Sequence, residues 1–147
     1  MKGLLDKLQV PPLNENRGPQ NPAKRRPRTR RTRWSYHGNS DPWFSPLDTF
    51  EYYKNMSTAN GGPEAASKWS QFYFVPGMSH CGGGTSLDQF DMLSAMVDWV
   101  EKGVVPVSVI ATGKAFPGRS RPLCPYPRHA QYKGQGDTED AKNFECR

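Results

Sequence analysis

Apolar and polar positions alternate in two different rhythms along this chain, and the rhythm changes mark its elements. Phe72-Tyr73-Phe74-Val75 is a short apolar run rich in aromatic and β-branched side chains, stopped at once by Pro76-Gly77, and it predicts a strand over about 71–75. Trp34-Ser35-Tyr36 reads as the end of an earlier strand, with His37-Gly38-Asn39-Ser40-Asp41-Pro42 as the turn after it. Ser45-Pro46-Leu47-Asp48 is a helix start: Ser45 suits the cap, Pro46 the first helical position, and Asp48 reaches back. That helix is predicted to run to about Met56 with Leu47, Phe50, Tyr52 and Tyr53 on its apolar side, and Asn60-Gly61-Gly62-Pro63 to open a loop. Leu87, Phe90, Leu93, Met96, Val97 and Val100 recur at helical spacing. They predict a second helix capped in Ser86-Leu87-Asp88-Gln89 and ended by Gly103. Val107–Ala111 is a candidate short strand, and the Pro- and Gly-rich sequence from Pro117 onward reads as an ordered tail.

Charge changes this picture at one end only. The chain has 147 residues and a net charge of +6. Ten of its 20 Lys and Arg lie in residues 1–33, against Asp6 and Glu15 alone, so the remainder is net negative. Residues 11–33 also hold five prolines and no periodicity, and residues 1–33 are read as a disordered basic arm. Such arms bind phosphate backbones, which makes a non-catalytic binder of nucleic acid or another acidic surface the alternative function. The run has no interleaved aromatics and no nucleic-acid-binding motif, so a solvated charged tail is the preferred reading. No apolar stretch approaches the roughly 20 residues of a membrane span. Met1–Val10 is too short and polar for a signal peptide's core.

The chemistry concentrates after the strands. His80 follows the second strand on the glycine-rich turn Val75-Pro76-Gly77-Met78-Ser79-His80-Cys81-Gly82-Gly83-Gly84, and Asp41 follows the first. Working groups of open α/β sheets sit just outside the carboxyl ends of strands. The order strand, Asp turn, helix, strand, His turn, helix is that of the last third of an α/β hydrolase. There the acid orients the imidazole and the histidine takes a proton from an upstream serine. Asp48 is assigned to capping, and Asp88 and Asp91 to the first turn of the second helix. His37 is assigned to shaping the turn before Asp41, and His129 to a solvent-facing tail position. Three cysteines are an odd number. With His80 and His129 they could bind zinc in principle, but no paired C-x2-C spacing supports it. Cys81 is a weak candidate nucleophile, because it neighbours the base in sequence. Gly82-Gly83-Gly84-Thr85-Ser86 lacks the lysine of a phosphate-binding loop.

Several ordered motifs resemble the tannase and feruloyl esterase family over about residues 34–147. Tyr36-His37-Gly38-Asn39-Ser40-Asp41-Pro42-Trp43-Phe44-Ser45 resembles its acid-bearing turn, and residues 75–84 its histidine turn. Asp88-Gln89-Phe90-Asp91 and Val97-Asp98-Trp99-Val100-Glu101 resemble the following helix. Arg119-Ser120-Arg121-Pro122-Leu123-Cys124-Pro125-Tyr126-Pro127, Tyr132-Lys133-Gly134-Gln135-Gly136-Asp137 and Asn143-Phe144-Glu145-Cys146 resemble its C-terminal signature. The resemblance implies the C-terminal part of an α/β-hydrolase fold with a disulfide-held tail, and hydrolysis of aromatic-acid esters. It implies Asp41 as triad acid and His80 as general base, a Cys124–Cys146 pair, and for Cys81 a partner beside the serine. The nucleophile, the oxyanion-hole loop and the lid with the family's calcium site match nothing in this chain, so no metal or other cofactor is assigned. The family also implies a secreted or periplasmic protein. Residues 34–112 are therefore expected to show two strands and two main helices, with Asp41 and His80 at the same strand end. The chain is expected to be inactive alone, and Phe50, Phe90 and Trp99 to face water.

Overall fold

The computed structural model describes residues 32–147; the arm reading of residues 1–33 falls almost wholly outside them. Two parallel strands, β1 (Arg33–Gly38) and β2 (Ser70–Val75), form the centre and pair from Arg33↔Ser70 to Gly38↔Val75. β1 thus runs on through His37 and Gly38, which the sequence assigned to the turn after Tyr36. The helices α1 (Pro46–Ala59) and α2 (Gly62–Ser67) connect these strands. Five of the six β2 residues are buried, the pattern of a parallel strand covered on both faces. Phe72 stacks on Tyr53 of α1 with ring centroids 5.5 Å apart. Phe50 of α1 sits among Phe72, Phe74 and Tyr126 at 5.9, 5.5 and 4.6 Å. On the opposite face Tyr73 and Val75 join Met78, Ala111 and Leu123 in the core, and Trp34 meets Tyr73 edge-on at 5.5 Å.

Ser45 caps α1, its side chain accepting from the Leu47 N–H. The helix outlasts the expected Met56 because Asn60 Nδ2 donates to the Met56 carbonyl at 2.7 Å and Ser57 is buried. The expected loop after Asn60 contains α2. Pro63 lies in its first turn, where a missing N–H costs nothing, with Glu64 beside it and two alanines following.

The second predicted helix starts later than its pattern suggests. Gln89-Phe90 is a two-residue strand, β3, paired with Thr112 and Ala111 of β4 (Val109–Thr112). Asp91, not the Ser86 segment, caps α3 (Met92–Lys102), accepting from the Ser94 N–H at 2.9 Å. Leu87 and Phe90 reach the core from the extended segment instead. Gly103 ends α3 in the left-handed conformation at φ 70°. β4 also pairs with β5 (Arg121–Leu123), completing a three-stranded antiparallel sheet. The tail closes with the hairpin of β6 (Ala130–Tyr132) and β7 (Phe144–Cys146). Cys124 and Cys146 are bonded across 22 residues. A bidentate Arg119–Glu139 pair at 2.6 and 3.0 Å ties the segment before β5 to the one before β7.

Phe50, Phe90 and Trp99 do not form the exposed surface. Trp99 is buried, Phe90 packs on Tyr36 at 5.4 Å, and Phe50 fills the aromatic cluster on β2. Leu47, Tyr52, Leu93, Val97 and Val100 are exposed instead. Among the described residues no helix is long and apolar enough to cross a membrane.

Candidate active site

β1 and β2 end side by side, Gly38 opposite Val75, so the turns that leave them are neighbours. Their backbones are in contact: Asn39 N donates to Val75 O and Ser40 N to Met78 O, both at 3.0 Å. Gly38 is required at this approach, since a Cβ there would lie 2.2 Å from the Met78 carbonyl oxygen. The aspartate turn and the histidine turn are thereby locked together at one end of the parallel pair.

Asp41 and His80 meet across this seam. His80 Nδ1 lies 2.7 Å from Asp41 Oδ2, 39 residues apart in sequence. The Asp41 side chain is 3% exposed, that of His80 36%. Both Asp41 oxygens are engaged: Oδ1 accepts from the Trp43 and Phe44 N–H groups at 2.9 and 3.1 Å. Burial alone would raise its pKa. The hydrogen bond from His80 and the two backbone donors outweigh that penalty and hold the carboxyl well below the ordinary carboxylate range. Asp41 is therefore an anion facing Nδ1. It favours the tautomer that carries its proton on Nδ1 and leaves Nε2 as the basic nitrogen. The rings of Trp43 and Phe44 flank the imidazole at 5.4 and 5.2 Å.

His37 fits its assigned shaping role, with finer geometry than the sequence suggested. Its Nε2 lies 3.2 Å from both Asp41 Oδ2 and the Phe44 carbonyl, and its Nδ1 lies 2.8 Å from Thr49 Oγ1 on α1. With the proton on Nε2 it donates to the aspartate turn while accepting from the threonine hydroxyl, so a neutral ring satisfies every contact. Thr49 and the flanking roles of Trp43 and Phe44 escaped the sequence reading. Helical spacing placed Thr49 on α1, but no local pattern aimed it at His37.

The glycines after His80 shape its turn. Ser79 N donates to Gly83 O at 3.2 Å, and Gly83 N to Asp88 Oδ2 at 2.7 Å. Asp88 therefore belongs to this turn rather than to the helix start. Asp48 lies in the first turn of α1, where Ser45 is the cap. Cys81 is exposed and free, with φ 60°, a left-handed conformation uncommon outside glycine. Cys124 and Cys146, bonded to each other, offer no thiolate to a metal. His129 is exposed in the tail. Among the described residues no hydroxyl or thiol is hydrogen-bonded to His80.

Comparison with known proteins gives a consistent set of relatives. The family model described as tannase and feruloyl esterase matches residues 33–147. Mono(2-hydroxyethyl) terephthalate hydrolase of Piscinibacter sakaiensis is 46% identical over 117 residues, which cover 76% of this chain and 19% of that protein. Feruloyl esterase B of Aspergillus niger is 32% identical over 130 residues, with 76% and 25% covered. The crystal structure of an esterase from Aspergillus oryzae matches with TM-score 0.65 and 31% identity, over 79% of this chain and 27% of that one. The chain spans about a fifth to a quarter of the length of the curated relatives it matches.

Proposed function

The chain belongs to the tannase and feruloyl esterase family, and from that premise we propose that Asp41 and His80 are the acid and general base of a serine carboxylic ester hydrolase. The observation that carries this reading is the 2.7 Å contact between His80 Nδ1 and a buried Asp41 anion, which leaves Nε2 as the basic nitrogen. In the proposed cycle Nε2 takes the proton of a serine Oγ as that oxygen attacks the ester carbonyl. Asp41 keeps the imidazole oriented and stabilises the imidazolium that forms. The imidazolium then protonates the departing alkoxide, and the same nitrogen later activates water against the acyl-enzyme.

On this reading residues 34–147 are the C-terminal segment of an α/β-hydrolase domain, joined to the basic arm 1–33. The substrates are esters of aromatic acids, the class named for the feruloyl esterase and terephthalate hydrolase relatives, and the protein works outside the cytoplasm. No residue of this chain is assigned as the nucleophile. Cys81 corresponds to the cysteine that pairs with one beside the serine. The 147-residue chain by itself is proposed to be inactive, because without the nucleophile and the oxyanion-hole donors several kcal/mol of transition-state stabilisation are absent.

A chimera tests this directly. Residues 33–147 replace the matching segment of the terephthalate hydrolase relative, and turnover of that relative's ester is measured. The chimera is expected to be active and His80→Ala to abolish turnover. Asp41→Asn is expected to lower kcat by about 10^4-fold, the loss typical when the acid can no longer fix the tautomer. A folded, active chimera indifferent to His80→Ala would refute the assignment.

A further inference from the structure

Behind the histidine turn lies a cavity of about 610 Å3, bordered by Gly77, Thr85 and Ser86 but by neither Asp41 nor His80. Its volume falls within the range of roughly 300–1,000 Å3 common to small-molecule sites. The wall is apolar and includes the rings of Phe74 and Phe116 with Leu87 and Leu123. Its charged lining is of one sign: Arg119, Arg121 and Arg128 contribute, with His129, and no aspartate or glutamate does.

The three arginines are not equivalent. Arg119 forms the bidentate pair with Glu139, and Arg121 lies 3.9 Å from the same carboxylate with its guanidinium over the Phe144 ring. One glutamate thus serves two cations. Arg128 is half-buried as a residue and also borders a second cavity lined by Asp140 and Glu145, but among the described residues no carboxylate lies within 4.0 Å of it. A guanidinium without a carboxylate partner beside an apolar wall is best satisfied by an anion that arrives with its own apolar body. The planar fork of arginine matches a carboxylate bidentately.

We propose that this cavity binds an aromatic carboxylate. The ring packs against the wall of Phe74, Phe116 and Leu87, and the carboxylate pairs with Arg128 at the rim. Offset and edge-on ring pairs favour an aromatic over an aliphatic body. The uniformly positive lining favours the acid over its ester or amide. This site is separate from the Asp41–His80 pair and does not depend on the role given to that pair.

The test uses the 147-residue chain, isotope-labelled, titrated with cinnamate at constant ionic strength and followed by amide NMR. Shifts are expected at Leu87, Phe116 and Arg128. Arg128→Gln, with its spectrum otherwise intact, is expected to weaken cinnamate roughly tenfold or more, as loss of a charge-assisted hydrogen bond implies. Arg128→Lys is expected to retain part of the affinity, and His80→Ala all of it. Neutral cinnamamide is expected to bind at least as weakly as cinnamate does to the Arg128→Gln variant. Equal binding of acid and amide, shifts confined to the Asp41 and His80 turns, or no saturable binding at millimolar cinnamate would each overturn the proposal.

Discussion

Asp41 combines near-complete burial with a carboxyl held in its anionic form, and three donors explain how. Because its folded pKa lies below the value of about 3.9 for an unfolded aspartate, it contributes stability that is complete above that value. The contribution is lost as pH falls through the folded pKa. Asp41→Asn is therefore expected to flatten the acid limb of stability, measured by urea unfolding from pH 6 to pH 2; an unchanged limb would show that the anion does not contribute. Gly38 is the other decisive residue. Gly38→Ala drives a methyl to within 2.2 Å of the Met78 carbonyl, and overpacking of this kind typically costs about 1–3 kcal/mol. Chemical denaturation should show that loss. The His80–Asp41 hydrogen bond should also weaken, because the two turns must part. The sequence placed Asp41 and His80 on the turns after their strands because each follows an apolar run closed by turn residues. It could not find Thr49 or the three-way contact of His37, which depend on how α1 packs beside β1.

At the scale of elements, α3 shows most clearly where periodicity misleads. Leu87 and Phe90 extend the helical spacing by arithmetic alone, yet they sit in extended chain because Phe90 pairs with Ala111 of β4. The real cap is Asp91, and Asp91→Ala is expected to cost about 1 kcal/mol, read as a drop in the unfolding midpoint. The Asp91 carboxyl is held below its ordinary value by the Ser94 hydroxyl and N–H. That stabilisation too is present near neutrality and lost on acidification. Leu93, Val97 and Val100 form an exposed stripe on α3. Leu93→Lys with Val97→Lys is expected to leave the urea unfolding midpoint little changed, since neither side chain is in the core.

Across the whole molecule, the tail carries a covalent link and an ion pair besides its apolar contacts with the core. Closing the 22-residue separation between Cys124 and Cys146 contributes about 3 kcal/mol in the loop-entropy model. Replacing both by Ser is expected to lower the melting temperature and to release the β6–β7 hairpin to protease. In the native oxidised chain, alkylation followed by mass spectrometry should label Cys81 alone. Labelling of Cys124 or Cys146 in that sample would contradict the structure.

The existence of β1, β2, β4, α1 and α3, the positions of Asp41 and His80 after their strands, and the family followed from sequence alone. Each rests on local grammar: an apolar run stopped by Pro-Gly, a Ser-Pro helix start, motifs in fixed order. The missed features are non-local. β3 exists only because β4 lies beside it, and α2 emerges where Pro63 fits a first turn that the neighbouring glycines disguised as loop. The 2.7 Å contact between His80 and Asp41 and the one-sign lining of the cavity behind the histidine turn likewise need distant segments in place. Local sequence determines what each segment prefers to be. Which segments cover one another, and therefore which charges are buried, is decided only when the chain closes on itself.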